Sequence, residues 1–88
     1  MYRLIIRGEP VGPFQHIYVF DNSDKLVTSL GVTLDDLEEI VFELIQKYNI
    51  KTIDLSGYKA YMEGIEKNLK ETGITTYRLD SDISFRYV

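Results

Sequence analysis

An α/β domain built on a mixed β-sheet is the fold class this sequence predicts, and three observations predict it. A helix, strand, helix succession runs from Thr33 to Gly73. A helix between two strands carries the chain back across a sheet, which gives a parallel β-α-β unit. The stretch before it, Tyr2 to Leu30, reads as three strands with short links, an antiparallel meander. The stretch after Gly73 alternates again like a strand. The expected order is β-β-β-α-β-α-β(-β), a mixed five- to six-stranded sheet with two helices on one or both faces. One domain spans residues 1–88.

Tyr2–Arg7 alternates, with Tyr2, Leu4 and Ile6 on one face and Arg3, Ile5 and Arg7 on the other. Gly8-Glu9-Pro10-Val11-Gly12-Pro13 is a loop, because its prolines and glycines exclude regular structure. In the second strand, Phe14–Phe20, the residues Phe14, His16, Tyr18 and Phe20 oppose Gln15, Ile17 and Val19. Asp21-Asn22-Ser23-Asp24 is a turn, since short polar side chains bond to nearby backbone. Lys25–Leu30 fits a short third strand, ended by Gly31-Val32.

Thr33 suits the N-cap of a helix to Tyr48, with Asp36 at the capping-box position. Asp35 and Asp36 also favour the positive end of the helix dipole. Leu34, Leu37, Val41, Leu44, Ile45 and Tyr48 fall on one stripe at helical spacing, and Asn49 is a stop. Phe42 lies off that stripe among acidic neighbours. Lys51–Leu55 is a brief apolar strand. The second helix, Tyr58–Thr72, carries Tyr61, Ile65 and Leu69 inward, helped by Tyr58 and Met62, and four-apart opposite charges outward. Gly73 ends it, Ile74–Leu79 is a strand, and Ile83–Val88 alternates as a last one.

Composition narrows the chemistry. With no cysteine and a single histidine, His16, thiolate and multi-histidine metal sites are excluded within one chain. A formal net charge of −4 disfavours nucleic acid as a partner, because that needs a basic footprint. No apolar run approaches the roughly 20 residues of a membrane span. The opening Met-Tyr-Arg-Leu-Ile-Ile-Arg is too quickly charged for a signal peptide. The expected setting is the cytoplasm.

Two short pieces of text carry a resemblance. Arg7-Gly8-Glu9-Pro10-Val11-Gly12-Pro13 closes the first strand, and Leu55-Ser56-Gly57 leads, seven residues on, to Gly64-Ile65. With the element order, these resemble the ribonuclease H-like superfamily from Tyr2 to Leu79. In that family the first strand ends in Asp-Gly and the fourth in Ser/Thr-Asp. The resemblance implies a sheet arranged as in ribonuclease H. It also implies a site where carboxylates of the first strand, first helix and fourth strand hold two Mg²⁺ ions. Here Arg7 stands at the first of these positions and Gly57 at the third, leaving Glu38 as the helix carboxylate. What the resemblance implies is therefore a degenerate, non-catalytic copy, with Arg7, Glu38 and Gly57 as a vestigial site and no cofactor or metal.

Other residues read more plainly. Asp54 suits a cap for the following helix, and Asp21, Asp24, Asp80 and Asp82 suit turns. The Gly8–Pro13 loop lacks the Gly-Lys-Ser/Thr ending of a phosphate loop. Tyr2, Tyr18, Tyr77 and Tyr87 lie on strands, where tyrosine serves sheet packing or a protein contact. The functional expectation is a small non-enzymatic binding or accessory protein, of the compact acidic kind common among phage and mobile-element proteins. It contacts another protein or itself through the sheet edge and the acidic first helix. Phe42, Tyr77, Phe85 and Tyr87 are the candidate contact residues, and a homodimer through Ile83–Val88 is one form of it. The alternative is a metal-dependent nuclease or other nucleic-acid-processing protein with a rearranged carboxylate set from Glu38, Glu39 and Asp54. Nucleic-acid binding by Arg3, Arg7 and Lys25 is the remaining reading.

Overall fold

A computed structural model describes residues 2–9, 12–57 and 59–78. Its elements are β1 (Arg3–Gly8), β2 (Phe14–Phe20), β3 (Leu26–Thr33), α1 (Leu34–Tyr48), β4 (Thr52–Gly57), α2 (Lys59–Glu71) and β5 (Thr75–Arg78). The five strands form one mixed sheet in the order β3-β2-β1-β4-β5, which differs from their order along the chain. The terminal strand expected at Ile83–Val88 lies outside the described residues.

The pairing follows from the connections. Short links join β1 to β2 and β2 to β3, so both pairs are antiparallel. Helical crossovers lead to β4 and β5, so β1–β4 and β4–β5 are parallel. The opening strand therefore lies directly beside β4, with Leu4 opposite Ile53 and Gly8 opposite Gly57.

Both helices pack on one face. Leu4, Ile6, Ile17, Val19, Ile53 and Leu55 rise from the strands against Leu37, Val41 and Leu44 of α1 and Met62, Ile65 and Leu69 of α2. Each such side chain contributes about 1.5–3 kcal/mol when fully buried. Met62, which the sequence adds to the stripe of α2, is fully buried. The other face carries a second, smaller buried cluster of Ile5, Tyr18 and Phe20. The Arg3 guanidinium lies over the Phe20 ring, 5.4 Å from its centroid. Strand alternation thus buries residues on both sides of β1, which is why Leu4, Ile5 and Ile6 are all inaccessible.

Two features differ from the sequence reading. The third strand does not stop at Leu30 but runs on to Thr33, because β2 pairs with it throughout, from Phe20↔Leu26 to Phe14↔Thr33. Gly31 does not break it, since its backbone stays in register with His16. The Thr33 side chain does not cap a backbone N–H of α1; its hydroxyl donates instead to Asp36 Oδ2 at 3.2 Å. Asn49 does end α1, in the left-handed conformation at φ 54°, and Ile50 N–H reaches back to the Ile45 carbonyl. Gly73 closes α2 in the same way, with Ile74 N–H bonded to the Leu69 carbonyl. In the β2–β3 turn, Asp21 Oδ1 accepts from the N–H groups of Ser23 and Lys25, as the sequence suggests. The Lys25 and Ser23 bonds hold the Asp21 carboxyl below its ordinary range.

Candidate functional site

Two regions bear on function: the end of the β1–β4 pair, where the sequence places a vestigial site, and the outer edge at β3. At the first, register decides which groups can meet. Ile6 faces the helices, so its neighbour Arg7 faces away from them, in a row with His16 of β2 and Ser56 of β4. Arg7 Nε binds Glu9 Oε1 at 2.8 Å, and the same oxygen lies 3.6 Å from His16 Nδ1. The His16 ring in turn stacks on Tyr18, with centroids 6.3 Å apart. Ser56 is buried, and its hydroxyl has no hydrogen-bond partner among the described residues.

Glu38 is elsewhere. It sits on α1, on the helical side of the sheet, and accepts a hydrogen bond from the Asn68 amide of α2. The fold does not bring Arg7 and Glu38 together: Arg7 faces away from the helices and binds Glu9, and Glu38 is bonded to Asn68. Asp54, opposite Ile5 in register, is also on the face away from the helices. The sheet thus separates Asp54 from Glu38 and Glu39 and does not assemble the rearranged carboxylate set.

Gly57 is held by geometry rather than by loss of a ligand. Its φ is +84°, which L side chains rarely adopt, and an added Cβ would lie 2.2 Å from the Gly8 carbonyl oxygen. Any side chain here, including an aspartate, collides with the backbone of β1. Gln15 secures the same corner. It is buried, and its side-chain oxygen accepts from the Glu9 N–H, fixing the chain as it leaves β1. Nothing in the sequence singles out Gln15 beyond its place beside Ile17 on the inward face of β2.

Arg3 and Arg7 of the meander are both ion-paired within the chain. Arg3 lies 3.6 Å from Asp24 and 3.9 Å from Asp54. The second contact is too long to be a hydrogen bond, and Arg3 Nε has no hydrogen-bond partner among the described residues. Burial raises the Asp54 carboxyl above its ordinary range, and the Arg3 charge only partly offsets this.

The second region is the edge. Among the described residues β3 is an outer strand, with nothing hydrogen-bonded beyond it. Its sequence, Leu-Val-Thr-Ser-Leu-Gly-Val-Thr, has neither charge nor proline, the usual guards of an exposed edge. Thr28, Leu30 and Val32 face the helical side and Ser29 and Gly31 the other, as their β2 partners dictate. A register shift between Val19 and Phe20 leaves Val27 without a partner. Of the five exposed large apolar side chains among the described residues, Phe14, Leu26, Val27 and Leu34 lie on or beside this edge and Tyr77 does not.

The contact residues inferred from sequence divide. Tyr77 is exposed, at 55%. Phe42 is half-buried and packs against the main core. Phe85 and Tyr87 lie outside the described residues. Of the strand tyrosines, Tyr18 is buried, and Tyr2 packs on Tyr48 with centroids 5.1 Å apart. Tyr2, Tyr48, Asn22, Asn49 and Lys51 also line a shallow concavity. No helix of the described residues is long and apolar enough to cross a membrane. Compared with known proteins, the sequence matches no family model and no curated protein.

Proposed function

We propose that this chain is a small non-enzymatic binding domain that recognises a protein by strand addition at β3, beside the acidic start of α1. One observation carries the reading: an eight-residue outer strand without charge or proline, flanked by most of the exposed large apolar side chains. Main-chain groups along such an edge supply affinity, and alternate side chains supply specificity. Asp35 and Asp36, exposed in the first turn of α1, would select against an acidic partner segment. A ribonuclease H-like ancestry belongs to the same proposal, supported by the parallel contact of the opening strand with β4. The partner contact is expected in the cytoplasm.

The test is affinity capture from the native host with the wild-type chain and with Ser29→Lys as baits. Ser29 is exposed at mid-strand, so the substitution guards the edge without touching the core. Proteins retained by the wild type and lost by the variant support edge recognition. Identical capture by both baits contradicts it.

A further inference from the structure

We infer that β3 pairs with β3 of a second copy of this chain, antiparallel, about a two-fold axis at Leu30. The inference rests on the edge reading above and names its occupant. A two-fold axis perpendicular to the sheet keeps the helices of both copies on one side. Directly opposed residues must then share a face, which restricts the register.

Centring on Leu30 satisfies that restriction and matches side chains along the strand. On the helical side Leu30 meets its own equivalent, and Thr28 meets Val32. On the other side Ser29 meets Gly31, so no bulky pair collides. At each end, exposed Leu26 and Val27 come near exposed Leu34 of the second copy. Beyond them, Lys25, exposed before β3, is carried toward Asp35 and Asp36, exposed after it. The symmetry makes that opposite-charge match twice. No like charges are opposed along the strand, because β3 has none. An interface of this kind is isologous, as in most dimers. It differs from the terminal-strand dimer expected from Ile83–Val88.

The chain has no cysteine, so single introduced thiols report register cleanly. Leu30→Cys places two thiols on facing residues, about 4.5–5.5 Å apart at Cα, within disulfide reach. Thr28→Cys places them four residues out of step, roughly 13 Å apart, beyond reach. Because Leu30 also touches the core, the double variant Ser29→Cys/Gly31→Cys, at two exposed positions, provides a second pair of facing thiols. Under mild oxidation Leu30→Cys and the double variant should form covalent dimers, and Thr28→Cys should do so at least roughly tenfold more slowly. Sedimentation equilibrium of the wild type should give the mass of a dimer. A wild-type monomer up to about 1 mM, or Thr28→Cys cross-linking as fast as the facing pairs, overturns the inference. If that monomer still captures a different protein through an edge that Ser29→Lys blocks, only the identity of the partner is wrong. If capture ignores Ser29→Lys, the edge reading fails as well.

Discussion

Gly57 and Gly31 are both strand glycines, yet they sit in opposite circumstances. At Gly57 the backbone has a positive φ, and the Gly8 carbonyl fills the space a side chain would need. At Gly31 an added Cβ would meet only ordinary contacts, 3.7 Å from Phe14 Cβ and 4.0 Å from the His16 ring. The first belongs to the end of the central β1–β4 pair, closed by its own backbone and by Gln15 and Glu9. The second belongs to the outer strand, open to whatever pairs with it. The difference teaches that the position marked by sequence resemblance as a lost ligand is a closed backbone joint, whereas β3 is an edge that no described strand covers.

The largest effect that separates the two regions is at the joint. Gly57→Ala should destabilise the fold by about 3 kcal/mol or more, combining an unfavourable φ with a backbone collision. Denaturant unfolding measures it, and a loss below about 1 kcal/mol would show that the joint yields. Gly57→Asp should cost at least as much and should restore no Mg²⁺ binding by calorimetry, since its side chain would meet the Gly8 backbone and Arg7 lies in register beside Ser56.

A smaller effect tests the buried carboxylate near the joint. The folded-state pKa of Asp54 is raised, so its charge costs stability once pH rises above the folded value. Asp54→Asn should therefore gain about 1 kcal/mol or less at neutral pH, and the gain should vanish below the unfolded aspartate value of about 3.9. Unfolding curves at neutral and acid pH check both parts. A neutral-pH loss would mean that the contact with Arg3 outweighs burial. At the edge, Gly31→Ala should be neutral or gain about 0.4–1 kcal/mol, because alanine orders the unfolded chain less expensively. A loss comparable to that at Gly57 would erase the contrast. Smallest of all, Ser29→Lys should leave thermal stability within about 0.5 kcal/mol of the wild type.

Much of this fold was legible because periodicity is a local signal. The alternation of Phe14–Phe20 and the stripe through Leu37, Val41 and Leu44 each report which way a side chain points. Asn49 and Gly73 could be read as stops, since both adopt left-handed geometry. The third strand was read three residues short because Gly31 looks like a breaker until β2 is beside it. The site was less legible. Which face Arg7 occupies follows from the alternation already visible at Leu4 and Ile6, but its separation from Glu38 depends on both helices sharing one side. That Gly57 must be glycine depends on Gly8, a residue far away in sequence and adjacent only through the β1–β4 register. The edge character of β3 is likewise a property of the assembled sheet, not of any segment.

The most direct test of edge recognition is amide hydrogen exchange along β3 at low and high protein concentration. Amides of β3 that point away from β2 are exposed in an isolated chain and should exchange quickly there. They should become protected as concentration rises, or on adding a captured partner, and β1 amides should not change. Exchange of β3 that ignores both concentration and partner would contradict the account.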